Sequence, residues 1–231
     1  MAATKAYRSR HNANHVIYED GDNKIVFSGG SLDWRTNNPG AMNAKGGFSS
    51  RHGMIGSSSP NAIFPDYQTG KAAMVARLQT PEFFDASIND AIEDWAQTAP
   101  SDVAAYRADV HNWTGLDMKR KVSSLSSGEF ESMRAAMERH EGYIQGQVWT
   151  MSKVQATKSK NDKNFTDFKV DGSWISKSAA IALVQQDKLD AVVSGDFLRP
   201  SPGQPSFKSI EEEATDEEEG EDPNHKDKDD K

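Results

Sequence analysis

The chain has 231 residues with no cysteine, and 27 Lys and Arg against 35 Asp and Glu give it a formal net charge of −8. The lack of cysteine excludes disulfide scaffolds, thiol nucleophiles and Cys-ligated zinc sites. No apolar run approaches the ~20 residues of a membrane helix, and the first fifteen residues lack the apolar core of a secretory signal, so we expect a soluble protein without Sec export.

The amino-terminal part predicts little regular structure apart from one hairpin. Residues 1–14 are polar, and we expect a flexible N-terminus there. Residues 15–28 contain two runs of β-branched and aromatic residues on either side of a turn-forming cluster, which predicts a β-hairpin. Residues 29–66 are rich in Gly, Ser and Asn, so we expect irregular structure with short strands around Met42 and Ile63.

Four helices are predicted in the middle of the chain. Capping and helix-breaking residues give their boundaries: Asp66 to Leu78, a helix opening at Ser87, Pro100 to Gly115, and Ser126 to about Ile144. The fourth helix has the clearest start, because Ser126 and Glu129 have the spacing of a capping box.

The carboxyl-terminal third predicts a smaller unit and a tail. Residues 150–164 are polar and Lys-rich, typical of a linker or an exposed loop. Residues 165–199 predict a small C-terminal subdomain, with strand character first and then a helix from about Ser178 to Val193. Residues 200–231 begin with prolines and end in acidic residues, so we expect a disordered acidic tail.

The tail also accounts for the net charge. Residues 208–231 contain twelve acidic residues and four lysines, while the other 207 residues hold 23 acidic and 23 basic residues. The body of the protein therefore has no basic excess to bind a phosphate backbone, and we expect no nucleic acid partner.

Glu141 is the most informative carboxylate in the sequence. On a helix, Phe130, Met137, Glu141 and Ile144 fall within about 60° of one another, so Glu141 projects from the apolar face. A carboxyl on a buried face is paired, protonated or used in chemistry, and desolvation raises its pKa toward that of a general acid at neutral pH. The alternative is a structural ion pair with an arginine such as Arg134 or Arg35. Beside Glu141, His140 either orients a neighbouring group or covers the exposed edge.

A second candidate is the segment from Trp34 to Met42. Its Asn-Asn-Pro-Gly sequence is typical of a turn, because proline fixes φ, glycine allows positive φ and Asn side chains bond nearby backbone. The functional alternative is a rigid loop that presents Arg35, Asn37 and Asn38 to a polar ligand, with Trp34 as a stacking face. Sugars suit such a loop, because amides bond hydroxyl and N-acetyl groups and an aromatic ring covers C–H surface.

Metal binding is not expected. His11 and His15 have i, i+4 spacing, but they lie in a polar tail without a helical pattern. The oxygen-rich residues 19–23 lack the full pattern of a calcium loop and fit the tip of a hairpin.

Several of these motifs together resemble one protein family. The segment Arg35–Met42, with the sequence RTNNPGAM, is similar to the R-N-N-N-P-G-N-I signature of lysozyme-like proteins found in phage virions and in antibacterial effectors of type VI secretion; Thr36 and Ala41 depart from it. The similarity continues in order over roughly residues 28–145, through Gly53–Gly56, Ala62–Tyr67, Ile88–Ala96, Ala105–Tyr106, Gly115–Leu116 and Arg139–Gly142.

The resemblance assigns a role to Glu141. The sequence His140-Glu141-Gly142-Tyr143 resembles the phage-lysozyme helix that carries the catalytic glutamate, which there precedes the β-hairpin and here follows it, so the order of elements looks permuted. Phage-type lysozymes place a second carboxylate shortly after that glutamate, but residues 143–160 contain none. A second acid would have to be Asp33, our choice, or one of Asp66, Asp20 and Asp22; without one, a lytic transglycosylase is the natural interpretation.

The resemblance and the residues together predict the fold and the function. We expect a mainly α (α+β) fold, with a lysozyme-like helical domain and a small β-hairpin element over 15–149, followed by a small C-terminal α/β appendage. The enzyme would be a muramidase that cleaves the MurNAc-β-1,4-GlcNAc bond of peptidoglycan, with Glu141 as general acid and Asp33 as the second carboxylate. The residues expected to bind substrate are Trp34, Arg35, Asn37, Asn38, Tyr67 and His140.

The same interpretation predicts the partners and the location. We expect no cofactor, a monomer, and peptidoglycan as the substrate. An immunity or inhibitor protein and a carrier of the secretion machine are further possible partners, with delivery by a phage or secretion machine to the cell wall of a target. Two other functions stay open: a non-catalytic peptidoglycan-binding module, and an amidase that cuts the peptide stem, against which the lack of Cys and of a His/Asp metal cluster argues.

Overall fold

A computed structural model describes residues 3–96, 99–159 and 165–207. The chain divides into two compact units, residues 1–150 and 151–231. No helix in these described ranges is both long and apolar enough to cross a membrane.

The first unit contains a six-stranded sheet in the order β5-β4-β1-β2-β3-β6. The strands are β1 Lys5–Arg8, β2 His15–Asp20, β3 Asn23–Ser28, β4 Gly56–Ser58, β5 Asn61–Ile63 and β6 Gln147–Thr150. The predicted hairpin is present as β2 and β3, which pair antiparallel from His15–Ser28 to Asp20–Asn23. On one side β1 joins β2 antiparallel and β4 parallel, and on the other side β6 joins β3 antiparallel.

The helices of the first unit are α1 Leu32–Arg35, α2 Phe48–Arg51, α3 Tyr67–Leu78, α4 Pro81–Phe84, α5 Ile88–Ala96, α6 Pro100–Thr114 and α7 Ser127–Glu141, with a 3-10 helix at Val122–Ser124. The longer ones begin and end at the expected caps. Ser126 and Glu129 form the capping box of α7, while Gly115 and Gly142 end α6 and α7 with φ of 68° and 80°. Helix α7 therefore ends at Glu141, three residues before its predicted end.

Two hydrophobic clusters hold the first unit together. The larger one joins α3, α5, α6 and α7 through fully buried residues such as Met74, Ile92, Val110 and Met133. The smaller one lies on the sheet and includes Tyr18, Phe27, Trp34 and Ile63. Helix α1 follows β3 directly, so its residues lie against the sheet rather than among the other helices.

The second unit has a three-stranded antiparallel sheet, a helix and a hairpin. The strands β7 Val154–Ser159, β8 Phe165–Val170 and β9 Ser173–Ser176 pair in sequence order; α8 Lys177–Gln185 follows, and then the hairpin of β10 Ala191–Ser194 and β11 Phe197–Pro200. Phe168, Ala180, Val184 and Leu189 form its buried centre.

The expectation of a mainly α, lysozyme-like fold is wrong. Of the described residues 38% are helical and 28% are in strands, and the strands form sheets of six, three and two. In this part of the chain the sequence pattern missed six strands: β1, β4, β6, β7, β10 and β11. Five of them have only three or four residues, too few to show alternation, and the six-residue β7 lies in a polar, Lys-rich segment.

Four smaller expectations are also corrected. The supposedly flexible residues 1–14 contain β1, and the supposed linker 150–164 contains β7, because main-chain pairing in a sheet does not require apolar side chains. The helix expected over 178–193 ends at Gln185, and β10 follows it. In the supposed tail, Phe207 contacts Phe168 at a ring distance of 6.0 Å. Residues 160–164 and 208–231 lie outside the described residues.

Candidate active site

Glu141 is the last residue of α7 and is only partly exposed. Its carboxylate accepts a hydrogen bond of 2.9 Å from the hydroxyl of Tyr106 on α6. The indole N–H of Trp95 on α5 donates to the carbonyl of Gly40 at 3.2 Å and lies close enough to Glu141 to favour its ionised form. Burial raises the pKa of Glu141, while the hydroxyl of Tyr106, the charge of His140 and the indole of Trp95 act in the opposite direction.

Asp33 brings a second carboxyl to the same place. It lies in α1, whose N-terminus is capped by Ser31, and it is 7% exposed. Its Oδ1 accepts a hydrogen bond of 3.1 Å from the amide of Asn61. Burial, and after it the nearby charge of Glu141, raise the pKa of Asp33 to about 7 against the opposing effects of Asn61 and Arg35. The fold thus brings together two carboxyls that were far apart in sequence.

A backbone connection fixes the two carboxyl-bearing elements to each other. The N–H of Ser31 donates to the carbonyl of Ile144 at 2.9 Å, and the N–H of Ile144 donates to the hydroxyl of Ser31 at 3.0 Å. Gly30 and Gly146 allow these two segments of the backbone to approach closely, because a Cβ on Gly30 would lie 2.3 Å from the Ile144 carbonyl oxygen. Ser31 precedes Asp33 by two residues and Ile144 follows Glu141 by three, so this link limits how far the carboxyls can separate.

The arrangement can perform acid–base chemistry. Two neighbouring carboxyls in a desolvated site do not both ionise readily, so one of them retains a proton at a pH where isolated carboxyls are charged. The pair therefore offers a proton donor and a carboxylate within electrostatic range of each other near neutral pH. Such a combination supports hydrolysis of an acetal and needs no metal ion.

His140 packs around the same glutamate. Its ring stacks on Tyr106 at a centroid distance of 3.8 Å and an angle of 23°, and its Nδ1 lies 2.8 Å from Oδ2 of Asp109. Because Tyr106 is the residue that donates to Glu141, His140 supports the position of that donor. The structure thus gives His140 a supporting contact in addition to its predicted proximity to Glu141.

Tyr67 lies on a second side of the site. Its hydroxyl is 3.0 Å from both carboxylate oxygens of Glu138, and its ring meets Tyr143 edge-on at 5.3 Å. Burial raises the pKa of Tyr143, and the charge of Asp33 is one of the further causes. Tyr143 thus packs against Tyr67 and lies within electrostatic range of Asp33, and both tyrosine rings are partly exposed.

The other predicted substrate-binding residues have structural roles, which corrects that part of the expectation. Trp34 is buried against Phe27 at a ring distance of 5.0 Å. Arg35 is also buried, and its Nη1 donates to the carbonyls of Gly29 and Gly30. Asn37 donates to the Tyr18 hydroxyl and the Phe64 carbonyl. These polar groups satisfy buried backbone and are not directed at a ligand.

Asn38 shows the structural role most clearly. It is fully buried, its amide nitrogen donates to the carbonyls of Met42 and Ala62, and its Oδ1 accepts from the N–H of Met42. We expect Asn38→Ala to lower the free energy of unfolding by about 3 kcal/mol, because the buried N–H of Met42 loses its acceptor and the carbonyls of Met42 and Ala62 each lose a donor. Urea denaturation measures this change. The exposed Asn14→Ala is the control and should change stability by less than about 0.5 kcal/mol; an equally small effect for Asn38 would contradict this role.

The remaining candidate acids lie elsewhere. Asp66 caps α3 by accepting from the N–H and the hydroxyl of Thr69. Asp20 and Asp22 lie at the tip of the hairpin of β2 and β3. Within the ranges that the structure describes, no group of three or more His, Asp or Glu side chains is placed to hold a metal ion.

Sequence reasoning missed four contributors to the site: Tyr106, Trp95, Asn61 and Tyr143. Tyr106 and Trp95 lie in segments that carry the family resemblance but were given no role in the site. The signal that could have found them is their hydroxyl and indole N–H, which require acceptors when they are buried. Asn61 had no distinguishing pattern.

In comparisons with known proteins, no family model matches the chain, and no curated protein matches it.

Proposed function

We propose that the first unit is a peptidoglycan glycosidase that hydrolyses the MurNAc-β-1,4-GlcNAc bond with Asp33 and Glu141 as its pair of carboxyls. The observation that carries the proposal is the pair itself: two desolvated carboxyls from α1 and α7 whose charges interact, with the pKa of Asp33 raised to about 7. Glycosidases of both stereochemical classes use two carboxyls of which one is protonated and the other is ionised.

The choice of peptidoglycan rests on the resemblance of the Arg35–Met42 segment and of the His140–Tyr143 segment to peptidoglycan-cleaving proteins. The aromatic surface of Tyr67 and Tyr143 suits this substrate, since aromatic rings cover the C–H faces of sugars. The same resemblance supports an antibacterial or phage-lytic role, with delivery to the cell wall of a target cell.

The second carboxyl favours hydrolysis over the transglycosylase reaction. A transglycosylase needs one acid–base residue, because a hydroxyl of the substrate attacks the anomeric carbon. Here Asp33 is buried beside Glu141 at a cost in solvation that a single-carboxylate mechanism does not require. A purely binding module would likewise have no use for a carboxyl that is half protonated at neutral pH.

Mass spectrometry of purified peptidoglycan after digestion tests the function. We expect the wild-type protein to release muropeptides with a reducing MurNAc end, and Glu141→Gln to release none above background. Asp94→Asn, an exposed carboxyl on α5 away from the pair, is the matched control and should behave like wild type. Anhydro-muropeptides would identify a transglycosylase, free amines an amidase, and intact glycan bound to the protein a binding module.

A further inference from the structure

The two carboxyls of the proposed glycosidase differ in their hydrogen-bond donors. The carboxylate of Glu141 accepts a hydrogen bond of 2.9 Å from the hydroxyl of Tyr106. The indole N–H of Trp95, which donates to the carbonyl of Gly40, also favours the ionised form of Glu141. An indole N–H can only donate, so it has no favourable interaction with a carboxyl proton. Hydrogen bonds donated to a carboxylate stabilise the ionised form, and these two donors come from helices that are packed into the core.

Asp33 has a poorer set of donors. Its Oδ1 accepts from the amide of Asn61, and in the described part of the chain Oδ2 forms no hydrogen bond. The side chain is nevertheless almost completely buried. One neutral donor compensates little for the lost hydration of a carboxylate, whereas a protonated Asp33 can hold its hydrogen on Oδ2 and direct it at a ligand.

The neighbouring charges act in the same direction. His140 lies beside Glu141, and its positive charge stabilises the ionised glutamate. Arg35 is the cation that favours ionisation of Asp33, but its Nη1 is bound to the carbonyls of Gly29 and Gly30. The charge of Glu141 opposes ionisation of Asp33, and the nearby Tyr143 and Tyr106 are neutral, with their pKa values raised by burial.

We infer that Asp33 is the residue that protonates the leaving oxygen, and that Glu141 works as the ionised carboxylate of the pair. This division of roles is the reverse of the one expected from the sequence, and it rests on the proposed function. Tyr106 and Trp95 are then positioning residues that hold Glu141 in its ionised form.

The resulting step is balanced. The proton on Oδ2 of Asp33 moves to the glycosidic oxygen as the bond from that oxygen to C1 of MurNAc breaks, and the bonding electrons leave with the C4 oxygen of GlcNAc. Glu141 either takes a proton from the water that bonds to C1, or bonds to C1 itself and forms an ester that water then hydrolyses. In the first route Glu141 then releases its proton to solvent and Asp33 takes one from solvent; in the second route Asp33 takes the proton of the water that hydrolyses the ester.

Substrates with different leaving groups distinguish the two roles. A dinitrophenyl β-glycoside of the GlcNAc-MurNAc disaccharide has a leaving group that departs without protonation, so the loss of a general acid matters little for it. We expect Asp33→Asn to cleave peptidoglycan about 10²–10⁴-fold more slowly than wild type and the dinitrophenyl glycoside within about tenfold of wild type. Glu141→Gln should be slow on both substrates.

The reverse pattern, with Glu141→Gln active on the dinitrophenyl glycoside and Asp33→Asn slow on both, would overturn the inference and leave the function intact. Equal losses on both substrates for both variants would also overturn it. A wild-type protein that cleaves neither substrate would refute the function itself.

A variant outside the pair tests the assignment without the risk that a lost activity reflects misfolding of the Asp33 or Glu141 variants. Tyr106→Phe removes one donor from Glu141 and keeps the ring that stacks on His140. It should move the acidic limb of the pH–rate profile to higher pH on both substrates, because the ionised form of Glu141 loses support. An acidic limb that stays in place would contradict the positioning role, and a merely structural role would change the rate without moving the limb.

Discussion

Replacing either carboxyl of the pair should slow the release of muropeptides by about 10²–10⁴-fold, and the D33N/E141Q double variant should be about as slow as the slower single variant. Both carboxyls act in the cleavage of the same glycosidic bond, so once one of them is replaced, replacing the other causes little further loss of rate. Initial rates of reducing-end formation from purified peptidoglycan, at the pH optimum of the wild type, measure the effect.

The comparison of rates requires that the D33N and E141Q variants stay folded. Asparagine keeps an oxygen that can accept from the amide of Asn61, and glutamine keeps one that can accept from Tyr106, so both substitutions preserve the observed hydrogen bonds. Asp94→Asn again serves as the carboxyl-to-amide control. Losses that multiply in the double variant would mean that Asp33 and Glu141 act independently, which contradicts a catalytic pair.

Replacing Asp33 by Asn should stabilise the protein at pH 8 and change its stability little at pH 4. The pKa of Asp33 is about 7 in the folded protein and 3.8 as the ordinary value, so between these limits the folded state binds more protons than the unfolded state. Stability from this group therefore falls as the pH rises through that window, by about 4 kcal/mol at most, and asparagine removes the effect.

Urea denaturation of wild type and Asp33→Asn at pH 4, 6 and 8 measures this change. The difference in the free energy of unfolding should grow steadily with pH in favour of the variant. For Glu141→Gln the difference from wild type should change with pH in the same direction, because burial also raises the pKa of Glu141. A difference that is the same at all three pH values would place the effect in packing rather than in ionisation.

The position of Glu141 could be predicted because it depends on helix periodicity, which a single sequence shows well. Ser126 and Glu129 fixed the start of α7, and the apolar stripe of Phe130 and Met137 fixed the face from which Glu141 projects. As the second carboxyl, Asp33 could be predicted only as one of four alternatives, because its position near Glu141 depends on a contact between distant segments that no local pattern encodes.

The roles of Asn37 and Asn38 show why the rest of the site was misjudged. An amide that satisfies buried carbonyls and an amide that binds a sugar are the same residue type in the same kind of turn, and only the fold decides which partner is present. The six-stranded sheet was missed for a related reason. Its short strands are held by main-chain hydrogen bonds to distant partners, and such bonds do not require a recognisable pattern of side chains in the sequence.

The link between Ser31 and Ile144 has a consequence for the order of events during synthesis. It joins residues 113 positions apart, and contacts with so large a sequence separation form only after the chain between them has been made and ordered. While β6 is still inside the ribosome, Asp33 has already emerged but has nothing to hold it beside Glu141. The proposed enzyme thus becomes active only at the end of folding of the first unit. A chain that is truncated before residue 144 should have no hydrolytic activity on the cell wall.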